Sequence, residues 1–181
     1  MNQFEVSILL WIQENLRGVM DGFCVFITHL GDAGWLWIVM GVALLFFKKT
    51  RPIGFTVLIS LLINLIITNI TLKDLIARPR PFVVNDAIVT LIKAPKSYSF
   101  PSGHTSASFS AMLALYRWVP KKVGIPAIVL ASLVAFSRMY IGVHYPTDIL
   151  GGIVVGFMSS IWAYYLVRRV GNMIREKKAN G

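Results

Sequence analysis

Three short blocks hold the residue types needed for chemistry at phosphorus: Lys73-x6-Arg80-Pro81, Pro101-Ser102-Gly103-His104, and Ser137-Arg138-x5-His144-x3-Asp148. Together they supply three cations, two imidazoles and a carboxylate. The guanidinium groups of Arg80 and Arg138 match the planar fork of two phosphate oxygens, and Lys73 adds a compact charge. Ser102 and Gly103 stand just before an apolar run, where a capped helix start offers backbone N–H groups to an anion. Pro146 suits the first turn of a helix, so Asp148 falls in that turn, within reach of His144. A carboxylate on one ring nitrogen fixes the tautomer and leaves the other nitrogen free to attack. His104 is then available to protonate a leaving group.

The other polar residues read differently. Arg78 is out of phase with the first block and reads as a headgroup contact. His29, in Thr28-His29-Leu30-Gly31-Asp32, has no partner block and reads as structural or interfacial. Apart from His144 and Asp148, no histidine has ligand spacing with another histidine or a carboxylate, so no metal and no cofactor are expected. Asn64 and Asn69 read as hydrogen-bonding residues between helices, with Asn69 on the face of Lys73.

The elements that must position these blocks are membrane helices. Of 181 residues, 56 % are hydrophobic and 14 % charged, and the mean hydropathy is +0.67. A soluble domain of this size cannot hide so much apolar surface. The expected fold is all-α: a polytopic transmembrane bundle forming one domain over 1–181, with its motif core at 73–148. Five spans are expected, at 33–47, 52–71, 104–119, 123–141 and 147–167. The segment from Phe4 to Leu30 reads as an amphipathic interfacial helix, or a sixth span, with Glu14, Arg17 and Asp21 as its polar stripe. The run from Ala87 to Ile92 reads as a second surface-lying element. Small residues at 106–114 and the pair Gly152-x3-Gly156 predict close helix packing.

The net charge of +10 does not indicate nucleic-acid binding, because eleven of the 18 cations fall into three clusters flanking spans. With five spans these clusters share one side, made cytoplasmic by the positive-inside rule, and the three blocks share the other. The lone Cys24 excludes an internal disulfide. The N-terminus lacks the basic region and cleavage site of a removed signal peptide. The oligomeric state stays open.

In this order and spacing the three blocks resemble the tripartite signature of the type 2 phosphatidic acid phosphatase superfamily, the integral-membrane lipid phosphatases. Every fixed position is present. Members usually place the first block after a third span, whereas here it follows the second clear one. The resemblance implies that His144 attacks phosphorus to form a phosphohistidine, with Asp148 orienting it. It implies that His104 protonates the leaving oxygen, and that Lys73, Arg80, Ser102, Gly103 and Arg138 hold the phosphate, with no metal. It also implies a phosphorylated membrane lipid as substrate, at the outer face of a bacterial plasma membrane. The approach LIKAPKSYSFPSGH resembles the undecaprenyl-diphosphatase group, some of whose members have Asp where this chain has Gly103. Phosphatidylglycerophosphate and phosphatidate are the alternative substrates, and a non-catalytic scaffold or lipid transporter is the alternative class.

Overall fold

A computed structural model describes residues 3–180, and among these the regular elements are all helical. In chain order they are α1 (Gln3–Leu16), α2 (Asp21–Leu30), α3 (Trp35–Leu45), α4 (Arg51–Leu65), α5 (Lys73–Ile76), α6 (Pro81–Val84), α7 (Gly103–Tyr116), α8 (Lys121–Tyr140) and α9 (Pro146–Ala179). A one-turn 3-10 segment, Asp32–Gly34, joins α2 to α3, and a π-helical segment, Ile66–Leu72, continues α4 into α5.

Among the described residues, four stretches are long and apolar enough to cross a membrane: Asp21–Leu45, Arg51–Val84, Lys121–Tyr140 and Pro146–Ala179. The third expected span is α7, which has only 14 residues, about 21 Å of helix against a hydrocarbon core of roughly 30 Å. It needs no long apolar face because it is the hub of the bundle, packed against α4, α8 and α9. Its serines are therefore spent inward. Ser108 Oγ accepts from Trp37 Nε1 of α3 at 3.1 Å, and the Ser110 carbonyl accepts from Ser60 Oγ of α4 at 3.0 Å. Each such bond satisfies polar groups that lipid would leave unpaired.

The glycine pair of α9 does what its spacing predicts. A Cβ on Gly152 would stand 2.9 Å from the Ser102 carbonyl oxygen, and one on Gly156 would stand 2.7 Å from that of Ser106. Only hydrogen fits there, so α9 lies backbone-to-backbone on α7. That contact fixes the second block against the third.

The N-terminal region differs from the single amphipathic helix expected over 4–30. The chain breaks at 17–20, so Glu14, Arg17 and Asp21 form no continuous stripe. Arg17 instead donates to the Val89 carbonyl, and Asp21 accepts from Tyr140 Oη at 2.6 Å. The helix α2 stays near one end of α8. Asp21 meets Tyr140, Thr28 meets Arg138, and Gly31 lies against Val134. At Ala33 (φ 49°) and Gly34 (φ 69°) the chain turns sharply into α3.

The amphipathic run Ala87 to Ile92 is held by α1. It is an irregular strap on α1, where Gln13 donates to the Ala87 carbonyl at 2.8 Å and accepts from Val89 N–H at 3.0 Å.

The first and third basic clusters meet at the opposite end of the bundle. Lys48, Arg51, Arg168 and Arg175 line one cavity of about 800 Å³ there. The α4 start at Arg51 is about 33 Å of helix away from Lys73.

Candidate active site

Each block reaches the site by a distinct local device. The π-helical turn before α5 inserts extra backbone, a feature that re-aims side chains at functional sites. It leaves Asn69 and Lys73 both facing Gly103, whose added Cβ would lie 3.3 Å from Asn69 Oδ1 and 3.5 Å from Lys73 Nζ. Arg80 stands in extended backbone just before α6, with Pro81 opening that helix. Ser102 caps α7 through a hydroxyl that accepts from Thr105 N–H at 3.4 Å and from Thr105 Oγ1 at 3.0 Å, and its own N–H donates to the Asp148 carbonyl at 3.0 Å. Gly142 (φ 78°) turns the chain between α8 and His144. This left-handed conformation costs other residues about 1 kcal/mol.

These devices bring Lys73, Arg80, Gly103, His104, Arg138 and His144 to the wall of one cavity of about 430 Å³. Ser102 is fully buried behind it, and Asp148 is fully buried behind His144. Six of the eight expected site residues thus line the cavity, and the other two, Ser102 and Asp148, are fully buried beside Gly103 and His144.

His144 is held from both sides. Its Nδ1 lies 3.4 Å from Asp148 Oδ2, and its Nε2 lies 3.3 Å from Arg80 Nη1. A guanidinium can only donate, so Nε2 is the unprotonated nitrogen and Nδ1 carries the hydrogen toward the carboxylate. Burial, opposed by the Asp148 contact but reinforced by Arg138 and Arg80, pushes the imidazole pKa down to about 3. The ring is therefore neutral near pH 7, with its lone pair at the cage of cations.

The cations are fixed in turn. Arg80 donates to the Ser97 carbonyl at 2.6 Å and the Val143 carbonyl at 2.9 Å. Lys73 Nζ donates to Ser97 Oγ at 3.3 Å. Arg138 Nη1 donates to Thr28 Oγ1 at 2.5 Å, while its Nε is buried without a partner. An unpaired buried donor is costly unless an anion takes it. Gly103 and His104 add the N–H groups of a helix start at the cavity wall.

Arg78 is the main correction. It is no headgroup contact: Nη1 donates to Asp148 Oδ1 at 2.6 Å and Nη2 to Glu5 Oε2 at 2.6 Å, with the guanidinium 4.1 Å above the Tyr145 ring. Ser99 Oγ (2.5 Å) and Tyr145 N–H (2.9 Å) complete the shell of Asp148 Oδ2. Burial alone would raise the Glu5 carboxyl; hydrogen bonds from Thr147 and the Arg78 charge override it and hold it below the usual range. The sequence signal for Glu5 was a carboxylate inside an apolar helix, where an ionised group calls for a partner. Asp32 gave no such signal, since it stands in the turn between α2 and α3; its Oδ1 lies 2.8 Å from His104 Nε2 and its Oδ2 lies 2.6 Å from His29 Nδ1. His29 therefore does have a partner, reached across a turn. Asn64 accepts from Thr68 of its own helix at 3.2 Å, and it is Thr68 that reaches across to Ser106.

A second cavity, of about 530 Å³, shares Lys73, Gly103 and His104 with the first and is otherwise largely apolar, walled by Ile38, Leu58, Leu61, Leu62 and Leu65. It lies between α3 and α4.

The bundle thus carries, at one end, a cavity walled by cations and histidines, the arrangement expected of a membrane phosphatase. The PAP2 superfamily profile matches residues 53–172, and the chain belongs to that family. The undecaprenyl-diphosphatase of Sulfolobus acidocaldarius is 35 % identical over 153 residues, covering 84 % of this chain and 73 % of the relative. The undecaprenyl-diphosphatase BcrC of Bacillus subtilis is 34 % identical over 147 residues, covering 78 % and 72 %. A crystal structure described as the first transmembrane PAP2-type phosphatidylglycerolphosphate phosphatase from Bacillus subtilis superposes with a TM-score of 0.76. It is 28 % identical, with 95 % of this chain and 86 % of that one covered.

Proposed function

We propose that this enzyme hydrolyses the phosphate or diphosphate of a membrane lipid through a phosphohistidine on His144, with undecaprenyl diphosphate as the preferred substrate. The observation that carries the reading is the neutral, buried His144 Nε2 facing a cavity whose wall presents Lys73, Arg80 and Arg138. Nε2 attacks phosphorus in line, and its Nδ1–H stays directed at Asp148, which stabilises the charge the ring gains. His104 gives a proton to the leaving oxygen and then accepts one from the water that releases phosphate. The cations and the α7 N–H groups hold the equatorial oxygens, so stabilisation comes from fixed donors rather than bound ions.

Two features support a lipid substrate over a soluble one. The apolar cavity between α3 and α4 adjoins the cationic one and shares His104 with it, so a head group and its chain can sit together. The basic clusters at the far end support an outward-facing site in a bacterial plasma membrane under the positive-inside rule. The undecaprenyl assignment rests on the names of the two relatives. The structural neighbour, a phosphatidylglycerolphosphate phosphatase, favours phosphatidylglycerophosphate as the second reading.

The test is phosphate release by purified protein in detergent with EDTA. Undecaprenyl diphosphate, phosphatidylglycerophosphate and phosphatidate are compared, with His144→Ala as control. Metal-independent release that the variant abolishes is the expected result, and the ranking of kcat/KM values assigns the lipid. Equal rates in His144→Ala would overturn the mechanism.

A further inference from the structure

We propose that Asp32 is a positioning residue for proton transfer by His104, with His29 linking its carboxylate to water; this rests on the role given to His104 above. The three side chains form one chain. His104 Nε2 lies 2.8 Å from Asp32 Oδ1, and Asp32 Oδ2 lies 2.6 Å from His29 Nδ1. Exposure rises along it, from 21 % at the His104 side chain to 48 % at Asp32 and 57 % at His29. All three line the same cavity as His144.

The backbone is shaped for this contact. Gly31 lies so close to the imidazole that an added Cβ would stand 2.9 Å from His104 Cδ2 and 3.1 Å from Val134 Cγ1. The left-handed residues Ala33 and Gly34 turn the chain immediately after Asp32. Trp35 Nε1 ties the turn back by donating to the His29 carbonyl at 3.1 Å.

The electrostatics give the carboxylate its purpose. Lys73, Arg80 and Arg138 face the cavity, and Lys93 adds a fourth cation at its wall. Beside so many positive charges, an imidazolium at His104 is disfavoured, yet a general acid must carry its proton. Among the described residues lining this cavity, Asp32 is the one carboxylate. It offsets that repulsion at the ring where protonation is needed.

It also assigns the nitrogens. A carboxylate accepts, so Nε2 keeps its hydrogen toward Asp32 and Nδ1 is the nitrogen that exchanges protons with the substrate. As the bond from phosphorus to the leaving oxygen breaks, its electron pair stays on that oxygen, which takes the Nδ1 proton. His104 is left neutral with Nε2–H still on Asp32. Water then gives a proton to Nδ1 while its oxygen bonds phosphorus, and the electron pair of the P–N bond returns to His144. Asp32 stays ionised throughout.

The experiment compares Asp32→Asn with the intact enzyme on two phosphate monoesters: a lipid phosphate with an alkoxide leaving group and 4-nitrophenyl phosphate. Nitrophenolate departs without a proton, so kcat/KM for that ester does not depend on general-acid help. The variant is expected to lose on the order of 100-fold in kcat/KM for the lipid and to stay within about threefold for the aryl ester. The basic limb of the lipid pH profile should move down by about one unit, because the imidazolium has lost its counter-charge. Gly31→Ala, which keeps the carboxylate but displaces the ring, should show the same selective loss, and covers the case in which Asp32→Asn fails to fold. Equal losses on both esters would make Asp32 merely structural, and no loss on either would remove it from the reaction; both overturn the inference. Were His144→Ala as active as the intact protein, the underlying mechanism would fall instead.

Discussion

Replacing Glu5 by Gln tests whether the N-terminal helix is part of the catalytic scaffold, although it lies outside all three sequence blocks. Glu5 Oε2 accepts from Arg78 at 2.6 Å, and Oε1 accepts from Thr147 N–H at 3.1 Å and Thr147 Oγ1 at 2.5 Å. Its side chain is 6 % exposed and that of Arg78 is 21 % exposed, so solvent screens the pair only in part. The amide preserves shape and one acceptor but removes the charge. Losing a charge-assisted bond of this kind costs about 1.5–3 kcal/mol. For a chain of this size that is a drop in Tm of roughly 3–12 °C, taking about 2–4 °C per kcal/mol.

The catalytic effect passes through Arg78, which holds the other oxygen of Asp148. Released from Glu5, the guanidinium no longer fixes the carboxylate that meets His144 at an already long 3.4 Å. A fall in kcat of about tenfold, near 1.4 kcal/mol, is expected with KM little changed. The assay pairs a thermal unfolding scan in detergent with phosphate release over a substrate series. An unchanged Tm together with an unchanged kcat would refute the idea that α1 latches the site. A lowered Tm with unchanged kcat would confine Glu5 to stability.

Further outcomes follow from the same geometry. Asp148→Asn should lower kcat by about a hundredfold or more while the protein stays folded, since the amide can present its NH2 to His144 and favour the wrong tautomer; incorporation of labelled phosphate into His144 reads the step directly. Gly156→Ala should destabilise the bundle by about 1–3 kcal/mol, because its Cβ would stand 2.7 Å from a backbone oxygen that cannot rotate away; thermal unfolding measures it. Acid should destabilise the fold through His144. Its folded pKa, near 3, lies below the unfolded value near 6.5, so the unfolded chain binds the extra proton and stability falls as pH drops from about 6.5 toward 3. His144→Gln should flatten that part of a stability-versus-pH curve.

Much of the site was legible because its residues have fixed spacings within short stretches. His144 and Asp148 are one helical turn apart, so local geometry alone brings them together. Ser102 and Gly103 open a helix whatever surrounds it. The glycine pair of α9 announced a close approach, and the structure supplies α7 as the partner. Arg78 was misread for a physical reason: phase within its own block says nothing about a carboxylate 70 positions later or 73 earlier. His29 was likewise judged by its neighbours in sequence, when its bearing on the site comes through Asp32 and the turn at Ala33.

By itself the sequence determined that this is an apolar all-helical chain whose three blocks hold two histidines, a carboxylate and three cations at fixed spacings, because composition and short-range spacing are local properties. Only the tertiary structure decided which carboxylates those groups meet: Asp148 with Arg78 and Glu5 on one side, and Asp32 with His104 and His29 on the other. An ion pair is set by distance in space, and distance between separate helices is fixed only when their backbones pack.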